Sequence, residues 1–372
     1  MQLPLFKLEE YLTQWEFKAP YLLCCSDAES ISMKDLVAMA DAESKNLWEN
    51  LQLSYTESPG LPLLRETIAS QFDRISAKDV LTFAGAEEGI FCAMHALLSP
   101  KDHVISIVPA YQSLVDLPRS IGAETTAITL KFESNWKLDL QEVADAFKPN
   151  TKLVVINFPH NPTGVNLDLT SLNQLVELCR KSGAYLFSDE VYRFMELDEK
   201  DRLPSIADIY ERGLSLSVMS KAYGLAGLRI GWVCCKDHAV LKKIEQFKHY
   251  TSICNSAPSE ILSLIALRAK EKILERNHSI MRTNIKLLDA FFSDYAHLFR
   301  WVRPKGGCIG FPELLLKENI DSFSQRLVEK KGVLLMPASI YSTPGNFFRI
   351  GFGRKNMPSS LEKLIEFLKE NI

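Results

Sequence analysis

The stretch "SVMSKAYGLAGLRIGW", residues 217–232, decides the fold. It sets one lysine, Lys221, in small and apolar company between two strand-like runs, "LSLSV" (214–218) and "RIGWVCC" (229–235). A lysine enclosed in a tight apolar turn loses solvation, which favours its neutral form and suits it to covalent or acid–base chemistry. Arg229 follows eight residues later, where the chain turns into the next strand. The rest of the chain decides whether this turn is a site.

Upstream of the turn, "HVISIV" (103–108), "TTAITL" (125–130), "KLVVIN" (152–157) and "AYLFSD" (184–189) also read as strands. They are taken as apolar throughout, the pattern of strands covered on both faces. Helical patterns separate them, such as "LTSLNQLVELCRKSG" (169–183), which ends on Gly183. Strands alternating with helices predict an α/β fold with a mostly parallel sheet and helices on both faces. Residues 259–299 read as a long helical segment broken near His278. Short strand-like pieces follow at 308–311, 333–336 and 347–351, then an amphipathic helix, "SLEKLIEFLKEN" (360–371). These features predict a large domain over 46–275 and a smaller α+β domain built from 1–45 and 276–372.

The 372 residues are 47% hydrophobic with a formal net charge of −3. The basic residues are scattered, so neither a nucleic-acid surface nor an anionic membrane is expected as a partner. No segment is apolar enough to span a bilayer. The eight cysteines include no C-x-x-C pair and no histidine–cysteine cluster with zinc spacing, so no metal is expected. They read as small reduced core residues of a cytoplasmic protein.

Ligands of open α/β sheets bind outside the carboxyl ends of the strands. The segments there are "NFPHNPTG" (157–164), "DEVY" (189–192) and "MSK" (219–221), and "FAGAEEGIFCAMHAL" (83–97) opens a helix at Gly85 and Ala86. Together with "YTESPGLPLLR" (55–65) and "FRIGFG" (348–353), in this order, they resemble the pyridoxal-phosphate-dependent aminotransferases of fold type I, class I and II. The resemblance implies a seven-stranded sheet of the pyridoxal-phosphate transferase type, pyridoxal 5'-phosphate as cofactor, and a homodimer with shared active sites.

The resemblance also implies roles. Lys221 holds the cofactor aldehyde as an imine and then shuttles protons. Asp189 keeps the ring nitrogen protonated, although a lone Asp after a strand also suits a helix N-cap and Glu190 is its neighbour. Asn161 and Tyr192 face the ring oxygen, while Asn-Pro-Thr-Gly is equally a good turn. Tyr111 stacks on the ring, against a default of core packing. His160 reads as structural. Gly85, Ala86 and Glu87 supply helix-start amides to the phosphate, and Arg229 a bidentate fork. The position three before the lysine usually bears a hydroxyl; here it is Val218, with Ser220 and Ser217 nearby. Tyr55 matches a residue that reaches the partner's phosphate. Arg349 matches the arginine that grips the substrate α-carboxylate, with Arg354 as a rival outside the register.

The leading expectation is transamination between an L-amino acid and a 2-oxo acid. The alternative is an oxidase, lyase or cyclase acting on a basic amino acid such as arginine. The N-terminal "LTQWEF" (12–17) and "CCSDAES" (24–30) resemble arginine-handling members of the superfamily such as capreomycidine synthases and arginine oxidases. Glu16 and Asp27 in these pieces would favour a cationic side chain if both face the pocket; otherwise Glu16 is a solvated helix residue and Asp27 a turn or cap residue. A non-catalytic sensor module is disfavoured by the intact cofactor set.

Overall fold

The computed structural model describes residues 3–372. Seven strands form one sheet: β1 (Val80–Phe83), β2 (His103–Val108), β3 (Glu124–Thr129), β4 (Thr151–Asn157), β5 (Tyr185–Asp189), β6 (Gly213–Val218) and β7 (Gly231–Cys235). Their order is β1-β7-β6-β5-β4-β2-β3. The neighbours from β6 through β3 run parallel, and β7 alone is antiparallel to both its partners. β1 was not expected from the sequence. Four residues bounded by a 3-10 turn carry too little periodicity to stand out.

Alternation along the strands explains why the central ones look uniformly apolar. In β4, Leu153 and Val155 enter one hydrophobic core while Val154 and Ile156 enter the other; in β5, Phe187 and Leu186 divide the same way. Period-2 geometry therefore feeds two cores, one on each face. A helix spanning Ala86–Leu97 covers the first core with Ile90, Ala93 and Met94. A helix spanning Leu169–Ser182 covers the second with Leu172, Leu175, Val176 and Cys179.

β3 departs from the expected pattern. It is the sheet edge, and only Ile128 of its six residues is buried. Threonines at three of the other five positions suit a half-solvated strand.

The long helical segment is broken at Ala269, not near His278. One helix runs Ala257–Arg268 and the next Lys270–Asp294, passing straight through His278, whose ring bonds Phe194 O at 2.8 Å. Ala269 ends the first helix without any Gly or Pro to announce it. Of the short C-terminal strands, Ile309–Gly310, Met336–Pro337 and Phe348–Gly351 form a three-stranded sheet. Val333 instead makes an isolated bridge to Tyr21, which ties the N-terminal segment to this region. The last helix spans Met357–Asn371.

Candidate active site

A cavity of about 420 Å³ opens at the carboxyl ends of β4, β5 and β6. Asn157 ends β4 and Asp189 ends β5. Asn157 Nδ2 donates to Asp189 O at 2.8 Å, and its Oδ1 accepts the Asn161 N–H at 2.8 Å. One amide side chain thus fixes two strand ends and the following loop. Asn157 lies inside a quoted motif, yet composition alone gave it no role.

Lys221 lines the cavity two residues beyond Met219, whose N–H pairs with Ile230 O to close the turn. Burial pushes the pKa of Lys221 down. Its Nζ donates to Ser26 Oγ at 3.0 Å and stands 5.7 Å from the centre of the Tyr192 ring. Ser26 went unnoticed because nothing local marks a serine 195 positions away as a neighbour.

Of the two adjacent carboxylates, only Asp189 lines the cavity. Glu190 accepts from Ile206 N and Ser215 Oγ instead. Burial raises Asp189 to about 7, opposed by the Val191 N–H at 3.2 Å and by the charge of Lys221. Burial also pushes the Tyr192 phenol upward, opposed by the nearby Ser26 hydroxyl, which lies too far or too bent from the phenol to make a hydrogen bond of good geometry. His160 bonds Thr163 Oγ1 at 2.8 Å, and burial lowers its pKa to about 3, so it stays neutral.

At the helix start, Gly85 takes φ 96° and acts as the N-cap without any side-chain cap. A Cβ there would stand 2.5 Å from Arg229 Nη2, so any other residue would push the guanidinium aside, and the positive φ itself favours glycine. Ala86 and Glu87 line the cavity, and the opening amides of a helix lack acceptors by geometry. Glu87 accepts from Ser113 Oγ at 2.5 Å, and burial raises its pKa. Val218 and Ser220 line the cavity as well, whereas Ser217 does not. Tyr111 lines it and touches Phe6 at 5.4 Å between ring centres.

Arg349 also lines the cavity and is buried. It donates through Nε to Cys24 O at 2.9 Å and through Nη1 to Tyr341 Oη at 2.6 Å; the longer 3.4 Å contact reaches Asn161 Oδ1. Arg354 also lines the cavity and forms a two-pronged pair with Asp27, at 2.9 and 2.8 Å. Glu16 lines the mouth together with Glu9, and neither carboxylate has an ion-pair partner among the described residues. Tyr55 lies outside this cavity and is 88% exposed. The sequence motifs therefore converge, except that Asp27 is already paired, Gly85 stands behind Arg229 and not on the cavity wall, and Tyr55 stands apart.

The residues fit pyridoxal 5'-phosphate. A buried phenol without a hydrogen bond, a carboxylate raised by burial, and a glycine-shaped gap beside a guanidinium are the complements of a ring oxygen, a ring N–H and a phosphate. Among the described residues no group of three or more acidic, histidine or cysteine side chains could hold a metal, and no helix is long and apolar enough to cross a membrane.

The family model described as aminotransferase class I and II matches residues 29–368. A capreomycidine synthase of Streptomyces vinaceus is 28% identical over 352 residues, covering 94% of this chain and 90% of that one. An aspartate aminotransferase of Thermotoga maritima is 29% identical over 325 residues, covering 85% and 82%. The crystal structure of a PLP-dependent aminotransferase from Streptococcus suis superposes with a TM-score of 0.93 at 32% identity, covering 100% of this chain and 99% of that one.

Proposed function

The chain belongs to the class I and II aminotransferases, which use pyridoxal 5'-phosphate, and from that premise we propose that it moves an amino group between an L-amino acid and a 2-oxo acid at Lys221. The observation that carries this is the meeting of Lys221, Asp189 and Arg349 in one cavity. The cofactor, when bound, supplies a ring that draws electrons from the substrate α-carbon. Asp189 holds the proton on its ring nitrogen. Tyr192 and Asn161 would serve the ring oxygen, and Tyr111 the ring face. Arg229 and the amides at Gly85, Ala86 and Glu87, with Ser220, would hold the phosphate. Arg349 clamps the α-carboxylate, its orientation fixed by Cys24 O and Tyr341. Lys221, with its pKa lowered by burial, would take the proton from the substrate α-carbon and deliver it to the carbon that the cofactor's aldehyde contributes.

Glu16, which lines the cavity unpaired, would favour a substrate with a cationic side chain; Asp27 is held by Arg354 and adds to that preference once the pair parts. A second reading, cyclisation, elimination or oxidation of such an amino acid, draws support from the capreomycidine synthase, whose match takes in 94% of the chain. The domains at 46–275 and at 1–45 with 276–372 are part of the same reading, supported by the Tyr21–Val333 bridge. So is a homodimer with shared sites. Tyr55 is exposed together with Leu53, Tyr250 and Ile253, on two segments joined by Thr56 Oγ1 to Asn255 O and Ser58 Oγ to Ile253 O. Eight cysteines without a disulfide suit the cytoplasm.

The test adds single amino acids to the holoenzyme. Full conversion to the aminated cofactor, without oxygen uptake or ammonia release, is expected. Ammonia release or oxygen uptake would replace transamination with the second reading.

A further inference from the structure

Asp27 and Arg354 sit on the cavity wall as a two-pronged ion pair, with 23% and 27% of their side chains exposed. Neither residue lies in a helix or strand. The backbones beneath them are nevertheless tied down. Gly353 O accepts the Glu29 N–H at 2.9 Å, and Arg354 O accepts Asn284 Nδ2 at 2.8 Å. Only side-chain torsions need change to part the pair.

We propose that this pair lets one cavity accept substrate side chains of either charge. A cationic side chain takes Asp27 while Arg354 turns away; an anionic one takes Arg354 while Asp27 turns away. Each exchange swaps one charge-assisted pair for another of the same kind and releases the displaced partner, about a quarter exposed, toward water. Transamination gives the device a use, since donor and acceptor must occupy the same cavity in turn. Glu16 lines the same cavity and adds a second carboxylate for the cationic case. The inference rests on reading this cavity as the amino-acid site.

The test measures dissociation constants of the holoenzyme for L-arginine, L-glutamate and L-alanine in wild type, Asp27→Asn, Arg354→Gln and the double variant. Perturbation of the cofactor's visible band reads binding, and ligand-induced shifts in melting temperature repeat the comparison without chemistry. Ratios to alanine cancel general losses. Asp27→Asn should weaken arginine relative to alanine at least tenfold and leave glutamate unchanged or tighter. Arg354→Gln should do the reverse, and the double variant should lose both preferences. Ratios that move together in both variants, or do not move, overturn the inference and leave the pair as a strap between the two loops. Charge-dependent binding without any aminated cofactor would count against transamination alone.

Discussion

The two ends of the active-site cavity are built in different ways. The cofactor end is assembled from the ends of adjacent strands, with Asn157, Asp189 and Lys221 all borne on or just beyond the central sheet. The side-chain end is assembled from the chain's extremes, with Glu9 and Glu16 near the first helix, Asp27 on a loop, and Arg354 past the last strand. Rigid strand ends hold reacting groups to the tolerance that chemistry demands. Loops and terminal segments can change charge without disturbing the sheet. The difference separates what the enzyme does from what it does it to.

The sharpest break would come at the cofactor end. Lys221→Ala should remove the absorbance of the lysine-linked cofactor and cut kcat by about three orders of magnitude or more, because anchor and proton carrier are lost together. Normal turnover in that variant would end the reading of this cavity as the catalytic centre.

Asp189→Asn comes next, and it splits binding from stability. In the holoenzyme it should slow the half-reaction about a hundredfold or more, since a preorganised charge is removed. In the cofactor-free protein it should stabilise. Asp189 folds with its pKa raised to about 7, so the folded form binds more protons than the unfolded one between about pH 4 and pH 7. Stability contributed by that group is present below pH 4 and lost as pH rises through 7. Thermal unfolding of the cofactor-free variant against wild type should therefore show a gain at pH 8 that disappears near pH 4. A pH-independent difference would mean that the cavity solvates this carboxylate.

Those residues were legible because each sits in a short run with a strand on one side. The apolar runs of β4, β5 and β6 located their ends, and polar residues at or just after those ends line the cavity. The same reasoning misjudged β3, where threonines signal an edge, and overlooked β1. It could not find Ser26 or Tyr341, which reach the site across 195 and 180 positions through small-region contacts that leave no local pattern. Nor could it see that Asp27 would be engaged by Arg354, because that pair spans 327 positions.

At the phosphate, the comparison predicts smaller effects. Arg229→Leu should weaken cofactor affinity by about 3 kcal/mol, roughly a hundredfold, through the loss of charge-assisted bonds. Val218→Ser adds a hydroxyl to the cavity wall and should tighten it by about 1–2 kcal/mol. Equilibrium dialysis of the released cofactor reads both. Unchanged affinity in the pair of variants would put the phosphate away from the Gly85–Arg229 cradle.

The smallest effect belongs to the side-chain end, at Glu16. This carboxylate lines the mouth, half-buried and unpaired, so it can attract a cation without first breaking a bond. Partial exposure limits what it contributes, because water screens the charge. Glu16→Gln should therefore reduce the half-reaction rate constant for arginine relative to alanine by about two- to tenfold, and salt should shrink the difference. Lys221, Asp189 and Arg349 keep their partners in that variant, so the alanine rate serves as the internal reference. Equal losses for arginine and alanine would mean that Glu16 acts on the fold of the N-terminal segment rather than on the substrate. A loss confined to arginine at low salt would place charge selection on the terminal segments, apart from the sheet that carries the chemistry.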